Sequence, residues 1–221
     1  MSMTRMNLDA ELSRVRAEIT AMSARVEEDL RKAVRAIRER DAALAAEVKA
    51  DDRTVNAMQE NIQYLCATLM AIQQPVAQDL RELVAAIRLV DNLERIGDYS
   101  VHLAKTAIKL RDATGWPRQF ELLAKMGDAG CLMIRSMTEA WLKKDMEGAR
   151  SCAAADSEID ALHHELMGET LNSLKKENAG ADEAIKLIRT SGFLERLGDH
   201  VTNCCELVEY VVTGTHRELN D

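Results

Sequence analysis

Residues that break helices or fill sheets are scarce in this chain. It has two prolines and ten glycines in 221 residues, and aromatics make up 3%. That composition disfavours a turn-rich β fold and points to long uninterrupted helices. Cysteine is also sparse. The five thiols (Cys66, Cys131, Cys152, Cys204 and Cys205) make no CxxC pair, so a zinc ribbon or a disulfide framework has no footing. They read as reduced, buried small apolar residues of a cytoplasmic protein, and the adjacent Cys204-Cys205 reads so too rather than as a redox pair. No apolar run approaches the roughly 18 residues of a membrane-spanning helix, and the opening stretch MSMTRMNLDA has no apolar signal core. Basic residues number 29 against 37 acids, a net charge of −8, which argues against a nucleic-acid backbone as the main partner. There is no Walker loop, no Ser-His-Asp ordering and no basic helix-turn-helix.

What remains is a chain that is 47% hydrophobic with helical periodicity almost throughout. Leu8, Leu12, Val15, Ile19, Met22, Val26, Leu30, Val34 and Ile37 mark an amphipathic helix over 8–39. Asp41 is placed to cap a second helix over 42–73, and Pro75 ends it. A third helix runs over 76–112. Thr114-Gly115-Trp116-Pro117 is the best linker in the chain. Three more helices follow, over 118–143, 145–177 and 182–213, with a turn at Asn178-Ala179-Gly180. Short turns between long helices imply antiparallel neighbours. The expected fold is all-α, two tandem three-helix bundles over 1–113 and 114–221.

The two halves share a motif. Residues 93–98 read LERIGD and 194–199 read LERLGD, identical at five of six positions, which marks an internal duplication. Glu94/Asp98 and Glu195/Asp199 stand four apart, so each pair lies on one helix face. Glu94 and Gly97 interrupt the apolar seam Leu83, Ile87, Val90, Val101, Ala104, Ile108. A carboxylate on a packing seam is costly unless something pairs with it, and glycine inside a helix costs about 1 kcal/mol relative to alanine. A solvated charged face would explain one such pair; the repeated pair with the repeated glycine points to a site. The second helix of the first repeat carries Asp52, Asn56 and Glu60, and its counterpart carries Asp156, Asp160 and His164 at the same spacing. Antiparallel packing can bring these against the LERxGD helices. Convergent carboxylates repel unless a cation is present, and such oxygen-rich sites suit Mg²⁺, Mn²⁺, Ca²⁺ or iron. The candidate metal residues are therefore Asp52, Asn56, Glu94 and Asp98 in one bundle and Asp156, Asp160, Glu195 and Asp199 in the other. Arg88/Arg189 and Arg95/Arg196 occupy equivalent places and read as structural ion pairs rather than phosphate contacts. His102 and His200 read as polar surface. Asp160-xx-His163 has the spacing of di-iron bundles, but it stands alone, so a di-metal oxidase or metal-storage bundle is the alternative rather than the first reading. A metal-free helical scaffold is the third.

With these residues in view, the chain resembles the PhoU family, accessory regulators of phosphate-specific transport. The resemblance runs through Asp52-xx-Val55-Asn56-x-Met58, Gln74-Pro75-Val76-Ala77-x-Asp79-Leu80-Arg81, both LERxGD copies and Asn203. It implies two similar three-helix bundles. It further implies acidic E/D-xxx-D motifs that in some members hold multinuclear clusters of iron, manganese, zinc or magnesium. Asp52-Asn56 departs from that pattern by an amide, and His102 stands where the family often has Asn. The resemblance also implies a cytoplasmic, non-enzymatic adaptor, often a homodimer. Such an adaptor meets the phosphate-sensing histidine kinase and the ATPase subunit of the phosphate ABC transporter, and restrains the starvation response when phosphate is plentiful.

Overall fold

The structure, a computed structural model, describes residues 3–177 and 180–219. Seven helices make up the described chain: α1 Met3–Glu39, α2 Ala42–Gln73, α3 Ala77–Lys109, α4 Pro117–Lys143, α5 Met146–Ala154, α6 Asp156–Glu177 and α7 Ala181–Thr213. No strand occurs among the described residues. Helices α1, α2 and α3 pack on one another, and α4, α7 and the consecutive pair α5–α6 form the second three-layered bundle.

The expected apolar series of α1 is buried along its whole length, from Leu8 to Ile37. Asp41 caps α2 as its position suggested, accepting from the backbone of Ala43 at 2.9 Å and of Leu44 at 3.0 Å. Helix α2 stops at Gln74, which adopts a left-handed conformation (φ 46°) just before Pro75. Pro117 opens α4, where its missing N–H is no loss.

Two expectations need correction. Helix α3 ends at Lys109 rather than at 112, its last turn closed by Leu110 N–H on Thr106 O. The span 145–177 is two helices, because the backbone tightens at Ala155, whose N–H bonds Cys152 O at 3.1 Å, and restarts at Asp156. The sequence there, Cys-Ala-Ala-Ala-Asp-Ser, has no proline or glycine to announce the break. The turn expected at 178–180 lies largely outside the described residues.

The bundles meet where α3 crosses α7 and where α1 and α4 pack together. A Cβ on Gly130 would lie 2.9 Å from Leu197 Cδ2 and 3.2 Å from Leu30 Cδ2, so this glycine sets how closely α4 approaches α1 and α7. The α3–α7 crossing is antiparallel: Thr106 bonds Thr190, and Asn92 bonds His200. It also follows the duplication. Asn92–His200 and Tyr99–Phe193 are counterparts under the repeat, and Tyr99 and His200, themselves counterparts, touch at 3.5 Å. A local two-fold axis therefore passes between Tyr99 and His200. The two LERxGD motifs flank it, each turned toward its own acidic helix.

Candidate metal centres

In the second bundle Glu195 and Asp199 sit one turn apart on α7, and Asp156 begins α6 with Asp160 one turn on. Asp156 is only 6% exposed. A Cβ on Gly198 would overlap Asp156 Oδ1 and stand 3.0 Å from its Cγ, so the motif's glycine makes the room into which the carboxylate fits. That oxygen is buried with no hydrogen-bond partner among the described residues. Burial, then the charges of Asp160, Asp199 and Glu195, push the Asp156 carboxyl up to about 7. Glu195 is raised by burial and by Asp199 and Asp160, against Arg196 and His164. Asp199 is raised by burial and by Asp160. Four acids thus lie within one another's fields. His164 Nδ1 donates to Asp160 O at 2.8 Å, which leaves Nε2 as the nitrogen with a free lone pair.

The first bundle repeats the plan more loosely. Glu94, its side chain 17% exposed, and Asp98 flank Arg95, whose guanidinium reaches them at 3.6 and 3.2 Å. Burial, then Asp98 and, beyond the opposing charge of Arg95, Asp52 raise the Glu94 carboxyl, which places Asp52 of α2 in the same field. Asn56 stands half-buried one turn further along α2. A Cβ on Gly97 would meet Val55 Cγ1 at 3.4 Å and Val26 Cγ2 at 3.9 Å, an ordinary packing contact. The two motif glycines are therefore not equivalent. Among the described residues, no three His, Cys, Asp or Glu side chains already stand close enough to form a cation cage in either bundle.

The donors nevertheless fit a hard cation, most clearly in the second bundle. An all-oxygen set with one unpartnered, buried carboxylate oxygen is the chemistry such an ion satisfies. Asp156, Asp160, Glu195 and Asp199 would hold it there, and Asp52, Asn56, Glu94 and Asp98 in the first bundle.

Several side chains lie where the sequence did not place them. Arg95 makes its ion pairs, but Arg88 contacts His216 Nε2 at 3.2 Å. Among the described residues neither Arg189 nor Arg196 has a carboxylate within ion-pairing distance, and Arg189 lies over the Phe193 ring. His102 and His200 are half-buried junction residues rather than polar surface. His102 stacks on Phe193 with 4.2 Å between centroids, and His200 Nδ1 is 2.7 Å from Asn92 Oδ1. His163 bonds Ser191 Oγ at 2.9 Å and ties α6 to α7. Asp29 of α1 went unnoticed. It is 3% exposed with an unpartnered Oδ1, and burial and Asp51 push it up to about 7. It precedes Leu30 in an apolar series that runs unbroken from Val26 to Leu30, so the periodicity that singled out Glu94 gives no sign of it.

Comparison with known proteins agrees with this architecture. The PhoU domain model matches twice, over residues 19–107 and 123–208. A Pseudomonas putida protein described as a phosphate-specific transport system accessory protein PhoU homolog is 34% identical over 207 residues, spanning 94% of this chain and 81% of the relative. A Clostridium acetobutylicum protein of the same description is 29% identical over 99% of this chain and 100% of its own length. The crystal structure of PhoU from Pseudomonas aeruginosa superposes with a TM-score of 0.88 at 32% identity, covering 94% of this chain and 99% of that one. The same domain recurs in each half of the chain, each half folds as a three-layered helical bundle, and relatives match over nearly the whole length: the chain belongs to the PhoU family.

Proposed function

We propose that this chain is an accessory regulator of phosphate-specific transport, a protein-binding adaptor rather than an enzyme, which restrains the phosphate-starvation response when phosphate is plentiful. What carries this is the near-full-length likeness to proteins described as accessory to that transport system. Its partners on this reading are the phosphate-sensing histidine kinase and the ATPase subunit of the transporter, met at the cytoplasmic face, with a homodimer as the working form. No helix among the described residues is long and apolar enough to cross a membrane, so contact with the membrane would run through those partners.

The acidic motifs have a structural task in this scheme. A divalent or trivalent cation supplies the positive charge that lets buried carboxylates face one another. Asp156 and Asp160 on α6 would then be fixed against Glu195 and Asp199 on α7, and Asp52 and Asn56 on α2 against Glu94 and Asp98 on α3. Each bundle would hold one shape of its outer face, and a fixed face docks with a smaller loss of conformational entropy than a mobile one. The di-metal oxidase alternative needs two carboxylate-xx-His helices inside one bundle, and beside Asp160-xx-His163 on α6 the α7 helix offers only His200, which follows Leu197 by three.

Alkaline phosphatase activity tests the regulatory reading. A strain deleted for this gene and grown in ample phosphate should show high activity that the wild-type gene returns to low. Unchanged low activity in the deletion strain would contradict it.

A further inference from the structure

The duplication supplies an internal comparison that singles out a groove beside the second acidic motif. The groove encloses about 430 Å³ and is lined by His163 of α6 and by Arg189, Gly192, Phe193, Glu195 and Arg196 of α7. Its first-bundle equivalent is filled. Asp91 stands at the position of Gly192, and Gln59, the counterpart of His163, donates to its Oδ1 at 2.7 Å, while Gln63 donates at 2.6 Å. In the second bundle, a Cβ built on Gly192 would find only His163 Cε1, at 4.0 Å. Where the first bundle carries a carboxylate, the second has open space.

The charges around that space differ in the same sense. In the first bundle Arg95 is engaged by Glu94 and Asp98, and Arg88 by His216. Their counterparts Arg196 and Arg189 are both exposed, and among the described residues neither has a carboxylate in ion-pairing range. The groove therefore presents two guanidiniums, a histidine and one carboxylate, Glu195. Arg189 and Arg196 are two helical turns apart on one face, about 10 Å along the axis, so their long side chains can converge on a group seated over Gly192.

We propose that this groove of the second bundle binds a phosphoryl oxyanion, as inorganic phosphate or as the phosphate of a small monoester, in the place that the Asp91 carboxylate fills in the first bundle. Guanidinium forks match the paired oxygens of a tetrahedral oxyanion, and hydrogen bonds between two charged groups are the stronger kind. The opening is larger than one phosphate, which leaves room for a small esterified group. The site uses none of the acids assigned to metal except Glu195, which borders it. It goes beyond the adaptor reading and stands independently of it.

Calorimetry on the purified chain, before and after chelator treatment, tests it with inorganic phosphate, glycerol 3-phosphate and acetate in chloride buffer. We expect saturable binding of phosphate or of the monoester, whichever is tighter naming the source, and none of acetate. R189Q and R196Q should each weaken binding roughly tenfold or more. R88Q, the first-bundle counterpart, should leave it unchanged. G192D rebuilds the first-bundle arrangement and should abolish binding while preserving helicity and melting temperature. Absence of saturable binding by either phosphorylated ligand overturns the proposal. So does undiminished binding in the R189Q/R196Q double variant or in G192D. Because these substitutions lie on an exposed face with open space at Gly192, loss of fold is not expected, and circular dichroism checks it.

Discussion

Asp156 should make the metal-stripped protein less stable as pH rises. Its carboxyl is buried beside Gly198 with one oxygen unpartnered, and it is held at about 7 against an ordinary 3.8. An acid whose folded value is raised binds its proton more tightly in the folded chain. The folded state is therefore favoured below pH 4, and that advantage drains away as pH climbs to about 7. At about 1.4 kcal/mol per tenfold change in proton affinity, the full difference is at most ~4 kcal/mol, and neighbouring acids titrating together will spread it over a wider range. D156N keeps the shape and removes the charge. In urea unfolding after chelation, we expect D156N to match wild type near pH 4 and to exceed it by about 2–4 kcal/mol at pH 8. Added Mn²⁺ should stabilise wild type at pH 8 through binding linkage and should do much less for D156N. A wild-type-to-D156N difference that stays constant from pH 4 to pH 8 would refute the buried, cation-seeking carboxylate.

The two motif glycines should behave oppositely. G198A drives a methyl into the Asp156 carboxylate, so it should cost about 1–3 kcal/mol and lower metal content in elemental analysis, whereas G97A meets ordinary packing and should be neutral or gain up to about 1 kcal/mol of helix propensity. The pair E195A/D199A should lose metal from the second bundle with its circular dichroism intact; full retention would remove these residues as ligands. Glu82 is 3% exposed and salt-bridged to Arg16 at 2.5 Å and to Lys144 at 2.7 Å. Burial raises its carboxyl, but the Arg16 and Lys144 hydrogen bonds and charges outweigh that and hold it below its ordinary value. Its contribution is therefore present above about pH 4.5 and lost as pH falls further. E82Q should cost about 3 kcal/mol at pH 7 in urea unfolding, and the gap to wild type should close in acid.

The duplication made the architecture readable because a repeat testifies twice to every helix. The apolar series of α1, the Asp41 cap and the stop at Pro75 each followed from local rules that the packed structure leaves in force. The break at Ala155 escaped because no residue type there forbids a continuous helix. It restarts α6 at Asp156, the residue whose carboxylate sits over Gly198, so the irregularity and the buried acid occur together. The acidic motifs were legible as a spacing, but which motif was the more strained was not. That depended on whether Asp156 or Val55 faces the motif glycine across a helix–helix contact, and spacing along one helix carries no information about the other. The arginines show the same limit in another form. Sequence equivalence assigned one role to Arg95 and Arg196, whereas the surroundings separate them: Arg95 lies between two carboxylates, and Arg196 borders the groove left open at Gly192. Two copies of a fold in one chain share a backbone plan but not their side-chain balance: the first meets Gln59 and Gln63 with the Asp91 carboxylate, and the second has Gly192 at that place with Arg189 and Arg196 beside it.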